Sequence, residues 1–299
     1  MFTIASLWIP FTIIASLGQV ARNAMQRSLT GPLGPWGATN IRFLFGFPFA
    51  LVFFAVILLA TGDRVGWPVM AFWPWLLLGA LSQIFATGLM LAAMNERSFV
   101  VTTAYLKTEA IQTAIFGFVF LGDHLTVLRV VAILIATAGV VVTALRPGAT
   151  RDLGSLRPIM FGLVAAAGFA LSAVGFRGAI ITVPDVSFVT AASYALVWSL
   201  FVQTAILTIY LLLREPVILR NILGLWRPSM LAGFAGAAAS QFWFLAFALT
   251  AAANVRTLAL VEVLFAQAVA YYSFKQVPSV REVAGVVLIV AGVALLVAA

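Results

Sequence analysis

Cysteine is absent from all 299 residues, which excludes disulfides, iron–sulfur clusters and cysteine-bound zinc. There is one histidine, His124 in a Gly-Asp-His turn, and one histidine makes no metal site; it reads as a surface-loop residue. Charge is scarce: 9% of residues are Asp, Glu, Lys or Arg, against about a quarter in a soluble domain. Only nine are acidic. No P-loop occurs, so the chain does not itself use ATP. No cluster of His, Asp and Glu, and no nucleophile beside a base, suggests an enzyme, and no cofactor is called for. The longest polar interruption, Arg214 to Arg227, is about 14 residues, too short for a soluble domain.

What is present is apolar surface. Hydrophobic residues make up 64% of the chain and the mean hydropathy is +1.13. An integral membrane protein follows, with the lipid bilayer as its first partner. The net charge of +8 lies mostly on loops, so it signals topology and not nucleic-acid binding. The N-terminal run lacks a basic start and is longer than a signal core, so it reads as a span. A spanning helix needs about 20 mostly apolar residues. Ten such runs occur, at about 4–25, 36–60, 69–94, 98–121, 125–145, 158–181, 187–213, 228–250, 253–274 and 279–299. Their continuity fits helices and not barrel strands. Turn chemistry separates them: GPLGP at 31–35, TGD at 61–63, NER at 95–97, GD at 122–123, RPG at 146–148, VPD at 183–185 and VPS at 277–279.

The chain also repeats itself. VLRVVAILIATAGVVV at 127–142 resembles VREVAGVVLIVAGVAL at 280–295, a shift of 153 residues. The same shift sets Gly139 opposite Gly292 and Glu109 opposite Glu262, and a shift of 155 sets Arg22 opposite Arg177. Five spans per half is an odd number, so the second half enters the membrane inverted. The expected architecture is an all-α bundle of ten transmembrane helices, residues 1–150 and 151–299 forming two inverted five-helix repeats around a central cavity. The face carrying both termini would hold Arg64, Arg129, Arg177 and Arg256. The other would hold Arg22, Arg27, Arg97, Arg146, Arg151, Arg157, Arg214, Arg220, Arg227, Lys275 and Arg281. Positive charge stays cytoplasmic, which puts the termini outside.

Of the acids, only Glu109 and Glu262 lie well inside spans. A charge at that depth costs about 2.5–3.5 kcal/mol on insertion scales. One reading makes them structural clamps paired with basic residues; the other has them line a polar cavity. Lys107 and Glu109 are two residues apart, which on a regular helix turns them about 200° from each other. Lys107 then needs its own acceptor, and Glu262 is the candidate. Tyr105, Glu109 and Gln112 share a face. Helix four is therefore expected to be enclosed by protein on most sides.

Arg42, about six residues into the second span, either snorkels to an interface or lines the cavity. Arg22, Arg177 and Arg256, near helix ends, either anchor at an interface or turn inward, where guanidinium binds carboxylate or phosphate in pairs of bonds. The basic excess near the membrane favours a substrate with an anionic group. Tyr194 and Trp198, four apart on the seventh span, and Gln241 and Trp243 on the eighth are either interfacial or cavity-lining. The small residues of GFAGAAAS (233–240), with Gly285 and Gly292, allow close helix packing within the bundle or between copies.

Ten spans in two inverted halves resemble the drug/metabolite transporter superfamily, specifically its EamA-type members. YLKTEAIQTAIFGFVFLGDHLTVLRVVAILIATAGVVV, from Tyr105, looks like that family's helix four to five signature, and VRTLALVEVLFAQAVAYYSFKQVPSVREVAGVVLIVAGVALL, from Val255, like its second copy. The resemblance implies a ten-helix bundle around a cavity, helices five and ten at the periphery, export of small metabolites such as amino acids, and no prosthetic group. Members are commonly drawn with termini inside, opposite to the charge count here. Under the repeat shift Leu260 replaces Lys107, so that lysine has no symmetric counterpart.

Together these point to a secondary-active exporter of small metabolites, foremost amino acids, in a bacterial inner membrane, working by alternating access as a monomer or weak homodimer. Its expected substrate-binding residues are Glu109, Glu262, Lys107, Arg42, Tyr105, Gln112, Tyr194, Trp198, Gln241 and Trp243. Protons are the expected coupling ion through a buried carboxyl. A solute channel and a lipid scramblase are the alternatives.

Overall fold

The structure is a computed structural model that describes residues 4–96, 105–144, 156–265, 267 and 279–299. The described residues are helical and contain no strand. We number the helices α1 (Trp8–Leu44), α2 (Gly46–Thr61), α3 (Phe72–Glu96), α4 (Glu109–Phe116), α5 (Val127–Ala144), α6 (Leu156–Ile181), α7 (Phe188–Arg214), α8 (Pro216–Gly224), α9 (Trp226–Leu249), α10 (Ala252–Leu258) and α11 (Val280–Ala298). Six helical stretches are long and apolar enough to cross a membrane: Ser28–Thr61, Phe72–Ala93, Met160–Ile181, Phe188–Arg214, Trp226–Leu249 and Val280–Ala298. Shorter apolar helices occupy Glu109–Leu121 and Val127–Thr143.

The first two expected spans are less cleanly divided than the sequence suggests. α1 runs from Trp8 to Leu44 and turns at Gly34, at φ 65° and ψ 173°. Pro35 disfavours a helical conformation for the residue before it, and glycine accepts the positive φ that results. Gln26 Nε2 then donates to Ala38 O at 3.1 Å, joining the two arms. The expected second span, 36–60, runs through Phe45, whose backbone stays helical and donates to Ile41 O, into α2. The expected 214–227 loop is also corrected, because Pro216 starts a short helix there, α8, whose Ile222 is buried. Gly62 and Gly122 take positive φ at helix ends, as the TGD and GD turns predict. The RPG turn, Arg97, Arg146, Arg151, Lys275, and parts of the NER and VPS turns and of the fourth and ninth spans lie outside the described residues.

α3 packs along α6, α9 along α1, and α5 along α11. The last seam needs its glycines. A Cβ on Gly139 would stand 2.6 Å from the Gly285 carbonyl oxygen, and one on Gly285 would stand 2.6 Å from that of Gly139. The large apolar residues of the outer faces are exposed, among them Val56 and Leu59 on α2, Leu134 on α5 and Val287 on α11. Polar residues such as Asn40, Arg42 and Gln203 are buried instead. That inversion of the soluble pattern, with the long apolar helices, identifies a multi-pass membrane protein. α4 is enclosed by α6, α10 and α5 around Ala110 and Thr113, but Phe118, Val119 and Phe120 beyond it are exposed.

One end of the bundle is tied by polar links. Asp63 Oδ2 accepts from Ser187 N at 3.0 Å and Ser187 Oγ at 2.6 Å, which joins the α2–α3 connection to the α7 N-cap. The Ser187 hydroxyl and backbone bonds, with Thr190, hold the Asp63 carboxyl below its usual pKa. Arg177 Nη1 donates to Phe247 O at 2.7 Å and also to Thr250 O, while its Nε lies 3.9 Å from Asp123 Oδ1. Arg177 therefore staples α6 to the end of α9. His124 is exposed in its turn.

Candidate functional site

Two helix interruptions create the site. Lys107 and Thr108 form a turn just ahead of α4, and α10 gives way to a 3₁₀ turn over Ala259–Val261 just ahead of Glu262. The two interruptions stand one 153-residue shift apart. Where the chain leaves the regular helix, residues two apart no longer oppose each other. Lys107 and Glu109 consequently line the same small void, with Gln19, Arg256, Ala259 and Leu260. The expectation of a 200° separation fails for that reason.

Two ion pairs cross between these segments. Lys107 Nζ contacts the Glu262 carboxylate, the partner its sequence position nominates. Arg256 Nε lies 2.8 Å from Glu109 Oε1. The Arg256 guanidinium also stands 4.5 Å from the Trp243 ring centroid and 5.4 Å from that of Phe247, so the cation is held by a carboxylate and two ring faces. Lys107, Arg256 and Glu262 are all buried. In a low-dielectric interior each charge needs its partner, because an unpaired one carries the full desolvation cost.

Two further cations converge nearby. Arg22 on α1 and Arg42 on its returning arm are 2% and 3% exposed. Both run over Gly236 of α9, where a Cβ would stand 3.2 Å from Arg42 Cγ and 3.4 Å from Arg22 Cδ. Arg42 Nη2 donates to Ser240 Oγ at 3.4 Å, and Arg22 Nη2 to Asn23 Oδ1 at 2.8 Å. Neither forms an ion pair among the described residues. The snorkelling alternative for Arg42 and the interface alternatives for Arg22 and Arg256 are thereby corrected, because all three side chains are buried within the bundle.

Residues 6–145 match the EamA-like transporter family. That family is part of the drug/metabolite transporter superfamily. EamA transporters carry small solutes across membranes and are generally not enzymes. No curated protein matches the chain. Among solved structures, 27 chains match. One, described only as "Crystal structure of protein", has a TM-score of 0.70 at 17% identity over 98% of both chains. At that identity the likeness shows the fold alone.

The remaining nominated residues divide by location. Trp243 belongs to the site through Arg256. Gln241 Nε2 donates to Ser193 Oγ at 2.8 Å, tying α9 to α7. Tyr105 lies against Gly162 of α6, and Gln112 Nε2 donates to Thr108 Oγ1 at 3.1 Å. None of these three lines the void. Tyr194 and Trp198 sit in an aromatic cluster with Phe72 and Trp73, and the Tyr194 hydroxyl donates to Gly66 O at 2.8 Å. They join the Asp63–Ser187 end of the bundle and not the ion pairs. Sequence reasoning missed Gln19 and the pairing of Arg256 with Glu109. Gln19, Arg22, Asn23 and Gln26 recur at three to four residues along α1, a polar stripe in an apolar helix that signals an inward face. Among the described residues no group of His, Asp and Glu is placed to hold a metal.

Proposed function

We propose that the protein is a secondary-active exporter that moves small metabolites, amino acids first among them, by alternating access in a bacterial inner membrane. The observation that carries this reading is the double ion pair, Lys107–Glu262 and Arg256–Glu109, set at two helix interruptions one repeat shift apart. Broken helices at the midplane, one from each half, are where secondary transporters place solute and coupling ion. Residues 1–150 and 151–299 act as two inverted five-helix repeats of a ten-span bundle. The packing supports this: span three lies on span six (α3 on α6) as span eight lies on span one (α9 on α1), while spans five and ten (α5 and α11) pair with each other. That is the pattern expected when a two-fold axis exchanges the two halves.

Glu109 and Glu262 are the proton-coupling candidates. Protonating Glu109 removes the charge that offsets Arg256 and frees that guanidinium for a solute carboxylate. Lys107 and Glu262 do the same from the other side of the void, and Arg42 draws the anionic end inward. Tyr105, Gln112 and Gln241 position the segments that carry these charges. Tyr194 and Trp198, with Asp63–Ser187, hold one end of the bundle shut. With Arg22, Arg42, Lys107 and Arg256 assigned to the interior, the face bearing the termini keeps Arg64, Arg129 and Arg177 while the opposite face keeps the remaining ten basic residues. That asymmetry favours termini outside.

The test is radiolabelled uptake into proteoliposomes, screened over pooled amino acids with and without a pH gradient. Saturable uptake with counterflow supports the carrier. Uptake that rises linearly with concentration and shows no counterflow makes the protein a channel, and movement of labelled phospholipid between leaflets makes it a scramblase.

A further inference from the structure

The buried charges do not balance. Lys107 and Arg256 each have a carboxylate, and the two acids at this depth are thereby used. Arg22 and Arg42 hydrogen-bond only to neutral groups: Asn23 Oδ1, at 3.3 Å from Arg22 Nε and 2.8 Å from its Nη2, and Ser240 Oγ, at 3.4 Å from Arg42 Nη2. Arg22 Nη1 and Arg42 Nε and Nη1 are buried with no hydrogen-bond partner among the described residues. The Arg42 guanidinium is also 5.2 Å from the Phe43 ring centroid. The methylenes of both side chains run over Gly236, and the two cations lie within electrostatic reach of each other and of Arg256, with the Glu262 carboxylate, already engaged by Lys107, acting on Arg22.

A structure retains such a pair when something anionic completes it. Guanidinium is planar, stays charged and presents parallel N–H donors that match the two oxygens of a carboxylate or phosphate. We infer that Arg22 and Arg42 form an oxyanion-binding subsite, walled by α1 and α9 at Gly236 and Ser240, that takes the carboxylate or phosphate of a small solute. The subsite deepens the transporter reading and rests on it for its physiological meaning. It selects solutes bearing an oxyanion over neutral or purely cationic ones. The Lys107–Glu262 and Arg256–Glu109 pairs lie beyond it and meet the rest of the molecule. Ser240 orients Arg42, and Asn23 holds the Nε–Nη2 edge of Arg22, which leaves Nη1 unpartnered.

Binding is tested without flux. The full-length protein in detergent is titrated with succinate and with inorganic phosphate, against chloride at matched ionic strength and against neutral succinamide, reading melting temperature and Kd. The expected result is that one or both oxyanions raise the melting temperature while chloride and succinamide do not. Arg22→Lys and Arg42→Lys, which keep the charge but lose the fork, should each weaken binding about tenfold or more. Arg42→Met should abolish binding yet leave the ligand-free protein as stable as before or more so, because it removes an uncompensated buried charge. Two results overturn the subsite: oxyanions that act no better than chloride, or affinities unchanged in both lysine variants. Loss of ligand-free stability in Arg42→Met together with unchanged affinity in the lysine variants makes the arginines structural. Saturable flux without oxyanion binding sinks the subsite and keeps the carrier; oxyanion binding without flux does the reverse.

Discussion

Replacing Glu109 by Gln leaves the buried Arg256 without its counter-charge. Removing one partner of a buried ion pair costs about 3–5 kcal/mol in general. Two features of this site lower that figure. The glutamine amide still sets a dipole beside Arg256 at the 2.8 Å separation, and the Trp243 and Phe247 rings continue to hold the guanidinium. A desolvated cation–ring contact is worth about 2 kcal/mol. The expected loss for Glu109→Gln is therefore about 2–3 kcal/mol. Arg256→Gln alone should cost at least as much, because it strands the Glu109 carboxylate with no ring to fall back on. The double variant should recover about half of the summed loss, since neither charge is then left alone. The assay is reversible unfolding in mixed micelles by a denaturing detergent, followed by tryptophan fluorescence, for wild type, both single variants and the double. Additivity within about 0.5 kcal/mol would refute the reasoning, because independent sites add to that margin. Such a result would mean that the pair is solvated as a surface pair is, where the contribution is about 0–1 kcal/mol.

Three further outcomes follow from the structure. Gly285→Val should destabilise the protein by about 1–3 kcal/mol, because its Cβ would stand 2.3 Å from Thr143 Cγ2 and 2.6 Å from a backbone oxygen, and thermal melting checks it. The Asp63 carboxyl, held below the ordinary value of 3.8 by its hydrogen bonds, contributes stability in full above that value and loses it as pH falls through the lower, folded one. Melting curves should therefore show a decline on acidification that Asp63→Asn lacks; equal slopes in both proteins would count against the link. Arg177→Gln should loosen the end of the bundle where Arg177 meets Phe247, Thr250 and Asp123, read as faster amide exchange over 122–126 and 250–254.

The membrane class, most helices and the depth of the two acids were legible in composition and apolar run length. The Lys107–Glu262 contact was legible too, since a buried cation needs an anion and the chain supplies only two at that depth. The shared void of Lys107 and Glu109 was not, because helical-wheel reasoning presumes an unbroken helix and the chain turns at 107–108. α8 was hidden by its charged ends, Arg214 and Arg227, although Pro216 sits where a helix starts. Tyr194 and Trp198 share a face as expected, but that face meets the α2–α3 connection, a tertiary contact no local spacing encodes. Arg22 and Arg42 were ambiguous because a helix-end arginine can snorkel or turn inward. Gly236, the residue that makes room for both, lies some two hundred positions away in sequence.

The central claim is that the void between the two ion pairs faces each side of the membrane in turn. The absence of cysteine makes this directly measurable: Gln19→Cys would carry the protein's single thiol, on the wall of the void. It is labelled with a membrane-impermeant maleimide from the outside and, in a parallel sample, from the inside of oriented proteoliposomes. The account predicts labelling from both sides, with solute raising the rate from one side and lowering it from the other. Rates that move together, or that solute leaves unchanged, would contradict it.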